Sequence, residues 1–269
     1  MRIYHRGALV LLLATGLLTA CGASTIRSQT EAAPPPVAGQ SAAPIGAPQQ
    51  AALTGKVIVI DPGHNGGNDT HAAAIAKQVD IGNGHKECDT TGTASAAGYT
   101  EHAYNWDVSN RLKKILQGLG AKVILTRSSD TGVGPCITER AAIGNRAHAD
   151  AVVSVHADGA PSQDRGFHVI EPALVKGHND KMVVPSKKLA LAIRDAYLKG
   201  TGIPYSNYVG TNAIDVRGDL GGLNLSTVPK VFIETGNMAS AQDMQKLSSS
   251  SFRQTIAQSL ADGFVAYFK

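Results

Sequence analysis

The chain has 269 residues, a formal net charge of +4 and 43% hydrophobic residues. This length is enough for one large domain or two small ones. The sequence has no Lys/Arg cluster interleaved with aromatic residues, which make up only 5% of it, so a nucleic-acid partner is not expected.

The first twenty residues have the three-part layout of a secretory signal. Arg2 and Arg6 precede an apolar run over residues 8–18, and small residues follow. A transmembrane helix is the alternative, but a span needs about 20 apolar residues and this run is much shorter. We therefore expect residues 1–20 to be a signal peptide.

The signal ends in Leu18-Thr19-Ala20-Cys21, which resembles the lipobox of bacterial lipoproteins, where the cysteine is acylated and becomes the mature N-terminus. An ordinary signal peptide with a chance cysteine is the alternative. The chain has three cysteines, and a lipid on Cys21 would leave Cys88 and Cys136 as one possible disulfide in an oxidising compartment. We expect Cys21 to carry the anchor and the other two cysteines to pair.

A change in composition follows the signal. Residues 21–53 are rich in Ala, Pro, Ser, Gln and Gly and include Pro34-Pro35-Pro36. Because this segment has few large apolar residues to bury, it is predicted to be a flexible tether. Together, the lipid and the tether predict an exported protein held on the outer face of the cell membrane, with residues 54–269 as its folded domain.

The predicted domain alternates between strand and helix patterns. Short β-branched runs predict strands at 56–60, 122–126, 151–155, 167–170 and 230–235. Apolar residues at helical spacing predict helices at 101–119 and 138–147, capped by Thr100 and Thr138, then from Ser186 onward and over 252–264. The polar, glycine-rich stretch 64–98 predicts a long loop that is functional or disordered. This order predicts a single α/β domain with a mostly parallel central sheet flanked by helices.

Ionisable residues stand at the ends of three predicted strands. His64 follows the first strand, His156 closes the strand at 151–155, and Glu234 lies in the last strand. Sites in open α/β sheets lie beyond the carboxyl ends of the strands, so these side chains are expected at one edge. Two histidines and a carboxylate, with water as fourth ligand, form a catalytic zinc set. Spacing alone leaves the third ligand open, because no compact motif such as H-E-x-x-H is present.

Five short motifs occur in order between residue 57 and the C-terminus. They are Asp61-Pro62-Gly63-His64, the helix-opening Glu101, Thr126-Arg127 with Asp130, Ser154-Val155-His156-Ala157-Asp158, and Val231-Phe232-Ile233-Glu234-Thr235-Gly236-Asn237-Met238. Together they resemble the zinc-dependent N-acetylmuramoyl-L-alanine amidase family, type 3. Two departures lie beside the implied ligands rather than at them. The family commonly continues its first motif with Gly-Gly, where this chain has Asn65, and often has Asn where this chain has Asp158.

The resemblance implies that His64, Glu101 and His156 bind Zn²⁺ and that Glu234 is the catalytic general base. Glu101 opens a predicted helix, where the positive end of the dipole favours an ionised carboxylate suited to metal binding. The implied reaction is hydrolysis of the amide between the lactyl group of N-acetylmuramic acid and the L-Ala of the stem peptide. The implied partner is peptidoglycan or a muropeptide, and the mild positive charge suits polyanionic wall polymers.

A further segment, Arg217-Gly218-Asp219-Leu220-Gly221-Gly222-Leu223-Asn224, resembles a substrate-side segment of actinobacterial members of the family. A glycine-rich turn is the alternative. Arg217 and Asn224 are therefore candidate substrate contacts, and the protein is expected to be a monomer. The remaining internal histidines have no partner motif and are interpreted as surface or packing residues: His71, His85, His102, His148, His168 and His178.

Two other classes of function fit the same residues. A zinc peptidase or a deacetylase could use the same metal and base on another amide of peptidoglycan. A wall-binding lipoprotein that has lost catalysis, or an activator of another hydrolase, is the non-enzymatic alternative. The presence of Glu234, which no ligand role requires, argues against that alternative.

Overall fold

A six-stranded sheet is the centre of the structure, a computed structural model that describes residues 52–269. The strands along the chain are β1 (Val57–Pro62), β2 (Gln78–Asp80), β3 (His85–Glu87), β4 (Lys122–Leu125), β5 (Ala151–Asp158), β6 (His168–Pro172), β7 (Ile214–Arg217) and β8 (Lys230–Asn237). The sheet order is β4-β1-β5-β8-β6-β7, and β2 and β3 form a separate antiparallel hairpin. All neighbours in the sheet are parallel except β6 and β8. The predicted single α/β domain with a mostly parallel sheet is confirmed.

Seven helices accompany these strands in the described part of the chain. They are α1 (Ala72–Ile75), α2 (Glu101–Gly118), α3 (Ile137–Arg146), α4 (Val183–Thr201), α5 (Gly221–Asn224), α6 (Ala241–Leu247) and α7 (Ser250–Tyr267). Within residues 52–269, none of the helices combines the length and apolar character needed to cross a membrane. The predicted signal peptide, Cys21 and nearly all of the tether lie outside the described residues.

The main hydrophobic core lies between one face of the sheet and the three long helices α2, α4 and α7. In α2, Val108, Leu112 and Leu116 recur every four residues and are fully buried, which is the apolar stripe of an amphipathic helix. In α7, Leu260 and Phe264 are buried in the same way. Leu53, at the predicted end of the tether, already belongs to this core.

The opposite face of the sheet carries a much smaller apolar cluster. Val59, Ala149 and Val152 are its buried members, and α3 and α5 lie on this side. Because side chains alternate along a strand, the residues between the core positions of β1, β5 and β8 all point to this second face. The candidate site is built there.

Several element boundaries differ from the sequence predictions. The stretch 64–98 contains α1 and the β2–β3 hairpin rather than one long loop, and the short elements there are too brief to show a period. Helix α4 begins at Val183 instead of Ser186, because Pro185 is tolerated in a first helical turn. Cys136, not Thr138, occupies the N-cap of α3. Thr100 is the N-cap of α2, as predicted, but its side chain makes no capping hydrogen bond.

Candidate active site

The turn after β1 brings His64 next to β5. A Cβ at Gly63 would overlap the ring of His156, so only glycine allows the two segments to approach this closely. His64 itself adopts the left-handed conformation with φ of 57°, which is uncommon for a non-glycine residue and costs roughly 1–3 kcal/mol. This strained turn orients the His64 ring toward Glu101.

The three residues predicted as metal ligands converge. His64 Nε2 lies 3.2 Å from Glu101 Oε2, and His156 Nδ1 lies 2.9 Å from Glu101 Oε1. One donor atom from each residue falls within 4.8 Å of the others, a grouping that could hold a metal ion. Ligand atoms of a tetrahedral zinc site are about 3.3 Å apart when metal–ligand bonds are about 2.0–2.1 Å. The donor set therefore fits zinc in both chemistry and spacing.

Each histidine is oriented by a hydrogen bond on its other nitrogen. His64 Nδ1 lies 2.9 Å from the Thr90 carbonyl oxygen, which can only accept, so Nδ1 donates and Nε2 is the nitrogen that faces Glu101 and is available to a metal. Ser154 Oγ lies 3.2 Å from His156 Nε2 and donates to the Asp61 carboxylate. Because that hydroxyl has one hydrogen, it accepts from His156 Nε2, and Nδ1 is the nitrogen that faces Glu101. Such outer partners fix ring tautomer and direction in metal sites.

The site stabilises positive charge. Burial alone would lower the pKa of His64, but the carboxylates of Glu101 and Asp89 outweigh it and raise that pKa to about 10. Burial would raise the pKa of Glu101, yet the facing His64 and His156 hold it well below its usual value. A divalent cation competes with protons for the same donor atoms. The electrostatics are therefore those of a cation site.

Glu234 stands beside this group on the neighbouring strand. It pairs with His156 in the parallel register of β5 and β8, so both side chains point to the same face. Its backbone is fixed by Thr235, whose hydroxyl donates to the His156 carbonyl and whose carbonyl accepts from Tyr197. Its Oε2 is buried with no hydrogen-bond partner among residues 52–269. Burial, and then the charges of Glu101 and Asp158, raise the pKa of Glu234 well above its usual value.

A buried ionic network lies behind the ligands, and the sequence motifs did not reveal it. Asp61 accepts hydrogen bonds from Thr126, Arg140 and Lys230, at 2.6, 2.8 and 3.0 Å. Burial alone would raise the pKa of Asp61, but the charges of Lys230 and Arg140 lower it far below the usual range. Lys230 was predicted only as the start of a strand. A buried lysine has no periodic signature that marks it as one half of an ion pair.

The two departures from the family motifs both make side-chain hydrogen bonds. Asn65 is buried and donates to Asp89, which in turn faces His64 at 3.6 Å. Asp158 accepts a hydrogen bond from the Tyr208 hydroxyl at 3.0 Å. Neither residue displaces a predicted ligand.

The two candidate substrate contacts have different environments. Arg217 lies on the edge strand β7, is partly exposed and pairs with Asp219. Asn224 is fully buried, and its amide donates to the Ile81 and Gly218 carbonyls. That position favours a structural role for Asn224, joining the hairpin to α5, over the predicted substrate contact. Contact of Arg217 with substrate stays a prediction.

A disulfide joins Cys88 and Cys136, as predicted from the cysteine count. It connects the end of the hairpin to the start of α3.

A cavity of about 200 Å³ lies beside the disulfide and extends from His64 and His156, with Phe232 and Leu220 among its lining residues. A neighbouring glycine, Gly92, touches the ligands so closely that a Cβ there would lie 2.7 Å from Glu101 Oε2.

The fold and this donor set define an α/β enzyme with a candidate metal centre on one face of its sheet. Residues 58–266 match the family described as N-acetylmuramoyl-L-alanine amidase, Amidase_3. The chain is 40% identical over 239 residues to the N-acetylmuramoyl-L-alanine amidase Rv3717 of Mycobacterium tuberculosis, covering 88% of this chain and 93% of that protein. The chain therefore belongs to the type 3 N-acetylmuramoyl-L-alanine amidase family and is an amidase.

Two solved structures of mycobacterial amidases share its fold. Ami1 from Mycobacterium smegmatis matches with a TM-score of 0.75 and 37% identity, over 80% of this chain and 98% of that one. The apo form of Ami1 from Mycobacterium abscessus matches with a TM-score of 0.75 and 40% identity, over 81% of this chain and 100% of that one. Both matches cover about four-fifths of this chain.

Proposed function

We propose that this amidase hydrolyses the bond between the lactyl group of N-acetylmuramic acid and the L-Ala of the peptidoglycan stem peptide, with zinc as its cofactor. The observation that carries the proposal is the convergence of His64, Glu101 and His156 within 4.8 Å, with Glu234 paired directly beside His156. The family and its mycobacterial relatives support the choice of substrate.

The proposed zinc ligands are His64 through Nε2, His156 through Nδ1 and Glu101 through its carboxylate. When bound, zinc supplies a Lewis acid that acidifies water and polarises the amide carbonyl. Thr90 and Ser154 keep the two imidazoles in the tautomers that ligation requires. The first-turn position of Glu101 in α2 adds the positive end of the helix dipole, which favours its ionised form.

Glu234 is the proposed general base. Its unpartnered Oε2 is free to accept a proton from the attacking water, whose oxygen adds to the carbonyl carbon. The same proton then goes to the amide nitrogen as the C–N bond breaks, which gives a free carboxylic acid and a free amine. A raised pKa makes the Glu234 carboxylate a stronger base for the water proton and gives its protonated form the proton that the leaving amine needs.

Mass spectrometry of digested peptidoglycan tests the proposal, because it identifies which bond is cut. The expected products are peptides with a free L-Ala amine and glycan strands with intact lactyl groups. Cleavage within the peptide, or loss of acetyl groups, would instead show a peptidase or a deacetylase. Undigested peptidoglycan with zinc-loaded protein would show a wall-binding protein without catalysis.

The two glutamates provide a matched test of their roles. Glu234→Gln keeps the shape and hydrogen-bonding capacity of the side chain, so zinc content should stay near one per chain while turnover falls by about 10²- to 10⁴-fold. Glu101→Ala should lower zinc content as well as turnover. If Glu234→Gln lost its zinc while Glu101→Ala kept it, the two roles would have to be exchanged.

We also propose that the mature protein is anchored by a lipid on Cys21 and faces the cell wall. The support is the lipobox-like Leu18-Thr19-Ala20-Cys21 and the Pro- and Ala-rich tether that follows. Cys21→Ala should move the protein from the membrane fraction to the soluble exported fraction. A normally processed mutant that stayed in the membrane would contradict the anchor.

A further inference from the structure

His168 lies directly opposite the proposed general base. In the antiparallel pairing of β6 and β8, His168 is the register partner of Glu234. Directly opposed residues on one face have Cβ atoms roughly 4.5–5.5 Å apart. Glu234 thus has His156 on one side and His168 on the other, although the sequence pattern predicts only a surface or packing role for His168.

Two buried polar atoms on these paired residues lack partners. His168 is only 3% exposed, and its Nδ1 has no hydrogen-bond partner within residues 52–269. The Oε2 atom of Glu234 is in the same situation. Buried polar groups in folded proteins are nearly always bonded, so these two atoms on directly paired residues mark a place where a polar group can bind.

The His168 imidazole is neutral. Burial lowers its pKa, the positive charge of Arg217 lowers it further, and the opposing charges of Asp158 and Asp215 do not reverse this. The charges of Asp158 and Arg217 also shift the pKa of Glu234, so His168 and Glu234 share one electrostatic environment. A neutral imidazole has one nitrogen without hydrogen. Because leaving a buried N–H without a partner is costly, the tautomer with Nδ1 as the acceptor is the one that suits its burial.

The ring of His168 is held in place by its neighbour Tyr208. The two rings meet edge to face with centroids 5.9 Å apart, and the Tyr208 hydroxyl is fixed by its hydrogen bond to Asp158. Tyr208 therefore restricts the ring on one side while the paired strand restricts it on the other.

We propose that His168 Nδ1 and Glu234 Oε2 together bind the nitrogen of the departing peptide amine, so that His168 is a catalytic residue on the leaving-group side. This inference rests on the proposed function, because it assigns the partner of the amine that the reaction releases. Glu234 delivers to that nitrogen the proton taken from water. The nitrogen, which carried one hydrogen in the amide, then carries two, and His168 Nδ1 accepts a hydrogen bond from one of them as the C–N bond breaks.

Two substitutions at His168 separate this role from packing. His168→Phe keeps a ring against Tyr208 but removes the acceptor, whereas His168→Asn is smaller but keeps a polar oxygen near the position of Nδ1. Loss of one hydrogen bond of this kind corresponds to about tenfold. We expect kcat on a muramoyl dipeptide to fall about tenfold in His168→Phe, with KM little changed, and Asn to recover most of that loss.

Zinc content and the unfolding midpoint of both variants serve as controls, and the exposed His178→Phe controls for adding a phenyl ring. If His168→Phe does not fold, His168→Asn still decides the matter. A turnover loss of about tenfold or more in the Asn variant would overturn the proposal, as would wild-type kcat in a folded, zinc-loaded Phe variant.

Product binding gives a readout that does not depend on turnover. Calorimetry should compare alanyl-isoglutamine, which carries the released amine, with N-acetylmuramic acid, which carries the released acid. His168→Phe should weaken binding of the amine product about tenfold and leave that of the acid product unchanged. Equal weakening of both would show a merely structural residue. If the wild-type protein did not cut the lactyl amide at all, the proposed function would fail first, and that result is distinct from these.

Discussion

On one face of the sheet, Leu112, Leu189 and Leu260 from three different helices are fully buried in a continuous apolar core. On the other face, Asp61 and Lys230 are equally buried, but each is held by an ion pair. Apolar contacts are non-directional and tolerate small shifts, whereas hydrogen bonds and ion pairs fix direction. The comparison indicates that the apolar face contributes stability without fixing the ligands, whereas the polar face contributes both stability and the geometry of the site, so substitutions on the apolar face should change stability alone.

The largest effect is expected from removing a proposed metal ligand. His156→Ala should lose bound zinc and reduce amidase turnover more than the 10- to 100-fold that follows from altering only a partner of a ligand. The protein should still fold, because the apolar face is untouched. Metal analysis, turnover and circular dichroism would be compared with His178→Ala, an exposed histidine. An unfolded His156→Ala protein, or a folded one that kept its zinc and its turnover, would contradict this division between the faces.

The next effect concerns the buried network. Asp61→Asn leaves Arg140 and Lys230 without their common carboxylate, and breaking a buried ion pair costs about 3–5 kcal/mol. Urea unfolding at pH 7 should show a loss of this size. A loss below about 1 kcal/mol would mean that the network contributes little to stability.

The same variant has a defined dependence on pH. The folded-state pKa of Asp61 is lowered, so its contribution is fully present above the unfolded value of about 3.9 and is lost as the pH falls below it. The stability difference between wild type and Asp61→Asn should therefore shrink below about pH 4. A difference that grew on acidification would contradict the lowered pKa.

A core substitution should affect stability alone. Leu260 is fully buried in α7, and Leu→Ala at such positions costs about 2–5 kcal/mol. Because Leu260 is on the apolar face, zinc content and kcat at low temperature should be unchanged. A folded Leu260→Ala protein with reduced zinc content would show that the core also sets the ligand geometry.

Much of the scaffold could be predicted because its signals are periodic. The spacing of Val108, Leu112 and Leu116 identified α2, and the β-branched runs identified β1, β5 and β8 within a few residues of their observed bounds. The edge strand β7 and the helix α6 were missed, since four to seven residues show too little of a period. The hairpin could not be predicted because its two three-residue strands contain a single apolar residue, Val79, and so show no alternation.

The candidate ligands could be predicted for a different reason. His64 and His156 stand next to strongly predicted strands, so topology brings them together, and only the resemblance to a family singled out Glu101. His168 could not be recognised, because its importance depends on an antiparallel pairing between β6 and β8. Sequence alone gives no register for strands more than sixty residues apart.

The smallest expected effect concerns Ser154, which connects the buried ion-pair network on the site face to a proposed zinc ligand. Its hydroxyl donates to Asp61 and accepts from His156 Nε2. Through this hydroxyl, the buried network fixes the orientation of the His156 ring, a proposed zinc ligand. Ser154→Ala should weaken zinc affinity by about 10- to 100-fold while kcat at saturating zinc stays near wild type. Competition with a zinc chelator measures the zinc affinity. Ser109→Ala is the matched control, because Ser109 is buried in α2 and its hydroxyl has no partner within the described residues. If both serine variants bound zinc as tightly as wild type, the Glu101 and His64 contacts alone would suffice to orient His156.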